Sequence, residues 1–584
     1  MNGACHRYGQ HTNTCNDLKT DNHKMKTIIR NALVYDGSGN PPQGSSDVAV
    51  ENGVISQIGK GLDPAGAEVI GADGLALMSG IIDTHTHYDA QVTWDPLLDP
   101  SSSLGVTTAV IGNCGFTIAP CREADRELIM RNLTQVEGMS LDALRAGIDW
   151  SFESVPEYLD MIERRGLALN VAAFIGHSSL RTYVMGNAAT ERAANDDEIT
   201  AMEAIVDAGM RAGAIGFATS TAPQHNGHGG LPMPSRLADD RELEALGSVL
   251  GKHGRGIFML TKGARTDVPY LENLAEKIDR PIMIAALLHN STNPTGTFDE
   301  LAAITAARRR GQELWGQVSC CPLTMDFTIR SAYPFESLNA WSPAMKVEPE
   351  FLPTILSDTA FRDAVRAELA EPAGVRLFNG EWHKLVVVEV GDAAHAHAEG
   401  KTVAQLAGDA NVEPLDWMLD FAIADGMDTI FTAVLLNSDE DAVGRMIRDP
   451  SASVALSDAG AHLTFFCDAG FGLHLMGHWS RDLGALPLEM AVHELSGKPA
   501  EIFRIPDRGR IAPGYHADLL LFDPATVGRG PNRRVFDLPG NRPRLTCNAV
   551  GVHGVWVNGT RIAGENGLLP TATRSGRLLR EFGT

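Results

Sequence analysis

The sequence predicts an α/β protein built on a (β/α)₈ TIM-like barrel. Three observations lead there: eight apolar segments of strand length recur through the middle of the chain, residues able to form helices follow them, and turn-rich strand-like segments stand at both ends. The eight segments are LALMSGII, TTAVIG, LNVAAFI, AIGFATS, GIFMLT, PIMIAALL, ELWGQVS and SVALS. The helical pattern between them is clear after PSRLADDRE, where Leu243, Leu246, Val249 and Leu250 form an i, i+3, i+6, i+7 stripe.

The ends read differently. TIIRNALVYDGSG and DVAVENGVISQIG alternate apolar and polar residues around Gly, Asn and Pro, as half-buried antiparallel strands do, and GRIAPGYHADLLLFD and AVGVHGVWVNGTRIA repeat the pattern at the far end. Residues 25–78 and 508–565 are therefore expected to meet in one small β-sandwich domain, with the barrel spanning 79–507. The stretch from about 322 to 452 is too long for one crossover and contains helices of its own and the strand-like HKLVVVEV. It predicts an inserted α/β subdomain before the eighth strand, placed to cover the barrel mouth. Residues 1–24 are polar and read as a disordered tail, with Met25 a candidate start, and 566–584 read as a C-terminal tail.

Length and charge set the outer limits. A chain of 584 residues exceeds what one core organises, so a large catalytic domain with smaller companions is expected. The 73 acidic and 49 basic residues give a formal charge of −24, which repels phosphate backbones and anionic membrane surfaces. Eight cysteines, sparse and irregular, with Cys320 and Cys321 adjacent, make a poor disulfide framework. No apolar run approaches the roughly 20 residues that span a bilayer, and the N-terminus lacks the apolar core of a secretion signal. A cytoplasmic protein acting on a small molecule is expected, without nucleic-acid or membrane partners; homo-oligomer formation stays open.

The chemistry concentrates at strand ends. In GIIDTHTHYDAQ, His85 and His87 stand two apart at the end of the first apolar strand, so both imidazoles point to one side and can converge on one ion. Cys114 in VIGNCG, Lys262 in FMLTKG, His289 in AALLHN and Asp458 in ALSDAGAH hold equivalent positions, at the face where barrel active sites lie. Each alone is weak; their common placement is the argument. Imidazoles, a thiolate and a carboxylate suit zinc by softness, and a metal would keep Cys114 deprotonated.

With these segments in view, the sequence resembles the amidohydrolase superfamily, and within it the branch of D-aminoacylase and the N-acyl-D-amino-acid deacylases. The likeness runs from Met25 to about Ala563 and rests on GIIDTHTHYDAQ, GNCGFTIAP, GHSSLR, SDAGAH and RGRIAPGYHADLLLFD. It implies that His85 and His87 are first-strand metal ligands, that Cys114 can bridge two metal positions, and that His289 and Asp458 are the sixth- and eighth-strand ligands, around one or two Zn²⁺ or other divalent ions. The departure is on the fifth strand, where the family's histidine is replaced within Leu260-Thr261-Lys262-Gly263. A protonated lysine cannot ligate a cation. A carboxylated bridging Lys262, a single metal, and a lysine that holds substrate all remain open.

The implied reaction is hydrolysis of a linear amide, an N-acyl amino acid or related N-acyl compound, with Asp458 taking a proton from the attacking water and passing it to the leaving nitrogen. A cyclic amide, carbamate or ester substrate, and a catalytically silent scaffold, are the alternatives. His177 and Arg181 in GHSSLR, and His225 and His228 in APQHNGHGGLPMPSR, are candidate substrate contacts; His395 and His397 read as solvated. Carboxylation carries its own demand: Lys262→Ala should lose metal and activity, and short carboxylic acids should restore part of both.

Overall fold

The computed structural model describes residues 26–371, 376, 378–462 and 467–584. The expectations for residues 1–24 and Met25 fall outside them. Eight parallel strands follow one another in chain order around one sheet. They are β1 (Ile81–Asp83), β2 (Val106–Ile111), β3 (Asn170–Gly176), β4 (Gly216–Ser220), β5 (Ile257–Thr261), β6 (Ile282–Leu287), β7 (Leu314–Val318) and β8 (Ala452–Val454). Every residue of β2 to β5 is buried, because helices cover one face of the strands and the barrel interior the other. One such helix is Asp240–His253, whose predicted stripe of Leu243, Leu246, Val249 and Leu250 is buried and whose N-terminus is capped by Asp239.

The curve closes just beyond the strands. Past the ends of β1 and β8, Thr86 pairs in parallel with Ala459 and the His87 amide donates to the Ala459 carbonyl at 2.8 Å. The Ser457 hydroxyl adds a bond to Asp83 Oδ2 at 2.6 Å. The segments that complete the barrel are thus the ones that carry the candidate ligands.

The first apolar segment, read as one strand, is two. Ala76–Ser79 belongs to the terminal β-domain and Ile81–Asp83 to the barrel, with Gly80 between them. A Cβ on Gly80 would meet Thr107 Cγ2 at 2.1 Å, so no side chain fits at the crossing.

The two chain ends join in a single nine-stranded sheet. Leu519–Phe522 pairs antiparallel with Ala76–Ser79, and Ile29, Val48, Ile55, Leu77, Leu519, Leu521 and Trp556 share a small core. A buried polar knot ties this domain to the start of β3. Arg508 pairs with Asp518, Asn170 donates to Asp518 Oδ2 at 3.0 Å, and Asn558 donates to Asn170 Oδ1 at 2.9 Å.

The insertion before β8 has its own three-stranded antiparallel sheet (Leu323–Phe327, Ile430–Leu436, Leu385–Glu389) and its own aromatic core around Phe335, Trp341 and Phe431. Asn437, just beyond it, bonds the backbone of His289 in both directions and donates to the carbonyls of Ser319 and Cys321, which fastens the insertion to the C-terminal ends of β6 and β7. His395 differs from expectation: its Nδ1 lies 2.8 Å from Asp425 Oδ1, so it is a partner of a buried carboxylate rather than a solvated ring.

The last residues, read as a tail, form a strap beneath the barrel. The Val171 amide donates to the Arg577 carbonyl at 2.9 Å, the Leu579 amide donates to the Val171 carbonyl at 2.7 Å, and Arg580 reaches Asp160 and Glu163. Gly576 passes so close that a Cβ there would lie 1.9 Å from the Leu169 carbonyl oxygen. Gly576→Ala should therefore force strap and strand apart and destabilise the protein by about 1–3 kcal/mol, the usual scale of overpacking; a melting temperature equal to the parent's would contradict the strap.

Candidate metal centre

The GNCG and SDAGAH turns explain why the candidate ligands meet. Gly112 (φ +86°) and Gly115 (φ +76°) flank Cys114, and Cβ atoms there would come within 2.9 Å of the Phe174 carbonyl and 2.6 Å of the Ala218 carbonyl. Gly460 (φ +94°) lets the second turn lie on His87, whose backbone carbon and oxygen are 2.7 Å from where its Cβ would be. Cys114 (φ +56°), Asp458 (φ +46°) and His462 (φ +53°) are themselves left-handed, a conformation that costs a non-glycine residue about 1–3 kcal/mol and gathers at functional sites.

These turns bring His85, His87 and Cys114 together with their ligand atoms all within 4.8 Å of one another. His85 Nε2 lies 3.6 Å from Cys114 Sγ and 3.2 Å from Asp458 Oδ1; His87 Nε2 lies 3.5 Å from the same oxygen. All three members of the group are buried.

The surroundings determine which ring nitrogens bear protons. Gln317 donates its amide to the Thr84 carbonyl at 3.4 Å and the Thr84 hydroxyl at 3.3 Å, which turns its oxygen toward His85 Nδ1 at 2.8 Å. His87 Nδ1 lies 3.4 Å from Glu137 Oε1, an ion-pair contact rather than an aligned hydrogen bond. In the neutral tautomers that carry hydrogen on Nδ1, both Nε2 lone pairs are aimed at Asp458 Oδ1. That oxygen is buried and has no hydrogen-bond partner among the described residues. Lone pairs converging with no donor between them are the arrangement a cation satisfies, and with Cys114 the donor set fits zinc.

Burial lowers both imidazoles, but Cys114 and Asp458 beside His85, and Glu137, Asp458 and Cys114 around His87, outweigh it and raise both, so a positive charge is favoured at this point, as proton or as metal. Burial pushes the Cys114 thiol up, but His85 and His87 beside it outweigh burial and bring it down to about 6. Burial likewise raises Asp458, yet the close approach of His87 and the positive charges that His85, His87 and His462 carry when protonated hold its carboxyl below the ordinary range. The Glu137 carboxyl goes the other way, pushed up to about 8 by burial against the pull of His87. A divalent ion among these groups favours the charged form of every acid.

His289 is buried at the end of β6 with Nδ1 lacking a hydrogen-bond partner among the described residues, but it stands outside the three-residue group. Lys262 is not brought to the cluster. On β5 it is Thr261 that faces inward, its hydroxyl donating to Cys114 Sγ at 3.1 Å, and the next residue turns outward by strand alternation. Lys262 Nζ instead lies 2.7 Å from Glu300 Oε1, on the helix Gly296–Arg309, so the charge conflict expected for a lysine facing metal ions does not arise.

His177 and Arg181 also depart from expectation. Both are fully buried and both serve Glu242, His177 Nε2 at 2.8 Å from Oε1 and Arg181 on Oε2, while His177 Nδ1 meets the Thr219 hydroxyl at 2.7 Å. They are interior struts between helices rather than groups open to substrate. His225 does border the cluster: its Nδ1 lies 2.6 Å from the Ser220 hydroxyl and its ring packs edge-on to Phe116. Burial, with the nearby charges of His87 and His462, lowers it to about 3, so it is neutral. His228 is exposed, its backbone amide held by Asn132 at 2.9 Å.

Glu137, Gln317, Thr261 and Ser457 complete the surroundings. Glu137 and Gln317 had no local signal in the sequence; Ser457 and His462 are the first and last residues of SDAGAH, and Thr261 stands beside Lys262 in the quoted fifth-strand segment, though their roles were not read from it. Beside the cluster, Ala286, Leu288, Leu323 and Leu456 form an apolar wall of a cavity that also reaches Ser319, Asp458 and Asp468.

The sequence profile of the amidohydrolase family matches residues 68–563. The chain belongs to that family. Among relatives, this amidohydrolase is 27% identical over 570 residues to the D-aminoacylase of Alcaligenes xylosoxydans xylosoxydans, covering 96% of this chain and 99% of the other. An uncharacterized protein of Mycobacterium tuberculosis is 29% identical over 575 residues, 91% of each chain. A solved structure of D-aminoacylase, described with a binuclear metal centre, matches with a TM-score of 0.63 at 25% identity, covering 95% of this chain and 99% of that one.

The amidohydrolase should then hide Cys114 when loaded. With zinc bound, alkylation of Cys114 by iodoacetamide should be at least tenfold slower than after chelation, as mass spectrometry of the labelled peptide would show. Equal rates in protein that stays folded would make Cys114 an ordinary buried thiol.

Proposed function

We propose that this amidohydrolase cleaves the linear amide bond of an N-acyl amino acid or a closely related N-acyl compound, and that His85, His87, Cys114 and Asp458 hold one zinc ion for the purpose. The observation that carries the reading is Asp458 Oδ1, 3.2 Å from His85 Nε2 and 3.5 Å from His87 Nε2 at the point where the barrel closes. His289, whose buried Nδ1 has no hydrogen-bond partner among the described residues, is the candidate we assign to a second ion. Support for the substrate comes from the relatives: D-aminoacylase, N-acyl-D-aspartate deacylase and N-acyl-D-glutamate deacylase match over 94–96% of this chain at 26–27% identity.

Held by His85, His87, Cys114 and Asp458, zinc would bring the pKa of water down toward about 7 and would polarise the amide carbonyl. The chain's own residues do the rest. Asp458 is ionised and therefore ready to accept the proton of the attacking water, and it has a second oxygen, Oδ2, to carry it. Delivery of that proton to the nitrogen lets an amine leave in place of an amide anion. The Thr261 hydroxyl keeps Cys114 Sγ directed at the site, and Gln317 and Glu137 hold the two imidazoles in their ligating tautomers. Leu288, Leu323 and Leu456 offer the acyl group a dry wall beside Asp458.

A cyclic amide is the second reading, because D-phenylhydantoinase of Escherichia coli is 27% identical over 182 residues, 30% of this chain. Release of amine from a panel of N-acetyl-D-amino acids, run beside hydantoins and imides, decides between them: turnover of the linear substrates alone is expected, and turnover of the cyclic ones alone would overturn the proposal. Asp458→Asn should lower kcat by about 10³ or more, roughly 4 kcal/mol of barrel-mouth chemistry, with the fold intact by circular dichroism. Retained turnover would remove Asp458 from the proton path.

A further inference from the structure

Glu137 stands where local physics argues against it. It is the last residue of the helix Arg126–Glu137, closed by Gly138 in the left-handed conformation, so its carboxylate sits at the negative end of the helix dipole. It is also 3% exposed, and no lysine or arginine pairs with it among the described residues. A buried acid without a cation is costly unless something else compensates it. Local rules broken without an evident gain mark sites where function sets the residue.

What surrounds Glu137 is two histidines from opposite sides of the barrel closure. Oε1 lies 3.4 Å from His87 Nδ1, on the segment after β1; Oε2 lies 3.6 Å from His462 Nε2, on the turn after β8 that carries Asp458. The backbone joins in, since the His462 amide donates to the Glu137 carbonyl at 2.6 Å. The corresponding partner of His85 is the neutral amide of Gln317. Of the two imidazoles facing Asp458, only that of His87 is backed by a carboxylate, which raises the basicity of its Nε2.

We propose that Glu137 is a positioning residue of the metal centre: Oε1 fixes the Nδ1–H tautomer of His87, and Oε2 holds His462, so that His87 Nε2 and the Asp458 turn present their lone pairs to the same cation. The inference rests on the reading of His85, His87, Cys114 and Asp458 as a zinc site. Glu137 touches neither substrate nor ion; it acts through His87 and through the turn.

Competition with a chromophoric chelator measures the zinc affinity of the full chain and of Glu137→Gln, which keeps shape and removes charge. The variant should bind zinc about 10–100-fold more weakly, while cobalt at saturation still gives the thiolate-to-cobalt absorption expected from Cys114. Affinity within threefold of the parent would overturn the proposal. Should Glu137→Gln fail to fold, Glu137→Asp takes its place, retaining the charge but withdrawing it by one methylene: a loss of at least threefold supports the proposal and unchanged affinity overturns it. A parent protein that binds no zinc would overturn the metal reading and this inference with it; zinc held equally by parent and variant overturns the inference alone.

Discussion

The convergence of two imidazole Nε2 atoms on one buried carboxylate oxygen, with Cys114 Sγ 3.6 Å from that of His85, is the constraint on which the rest of this amidohydrolase is arranged. Asp458 Oδ1 has His85 Nε2 at 3.2 Å and His87 Nε2 at 3.5 Å, and in the neutral Nδ1–H tautomers no proton lies between them. Such an arrangement is repulsive without a cation. It occurs where β1 and β8 fail to pair along their lengths and are joined instead by the segments beyond them, through Thr86 with Ala459 and Ser457 with Asp83. Closing the barrel and assembling the site are the same event in the fold. The left-handed backbones of Cys114, Asp458 and His462 belong to that event, since turns tight enough to aim three side chains inward leave those residues no other conformation.

Two buried polar networks hold the frame around this centre. At the C-terminal end of β3, His177 and Arg181 clamp Glu242 with all three side chains excluded from solvent. At the start of the same strand, Asn170, Arg508, Asp518 and Asn558 tie the terminal β-domain to the barrel. Removing Arg181 from the first or Arg508 from the second would strand a buried carboxylate, at about 3–5 kcal/mol. Rigid walls of this kind suit a metal centre, because ligand geometry must hold to a fraction of an ångström.

The barrel, the composite terminal domain and the insertion were legible in the sequence because each leaves a periodic trace: apolar runs for buried parallel strands, alternation for the terminal sheet, and excess length for the insertion. His85, His87, Cys114 and Asp458 were legible because strand-end position is itself a signal in this architecture. The failures have two causes: a one-residue difference in register reverses which way a side chain points, and a partner distant in sequence leaves no local trace. Lys262 was placed toward the metals on the strength of its position, but Thr261 occupies the inward face and Lys262 turns to Glu300. His177 and Arg181 looked like substrate groups because they are polar residues at a strand end; their partner Glu242, 61 residues beyond Arg181, gave no local sign of the network it completes. Glu137 was invisible for the same reason, as its meaning depends on contacts with His87 and His462 that only the closed barrel creates.

In the proposed centre one cation is held jointly by sulfur from the turn after β2 and nitrogen from the segment after β1. X-ray absorption at the zinc edge of the loaded protein addresses it directly. The account predicts one sulfur scatterer at about 2.3 Å with imidazole nitrogens at about 2.0–2.1 Å. A first shell of nitrogen and oxygen alone would contradict it.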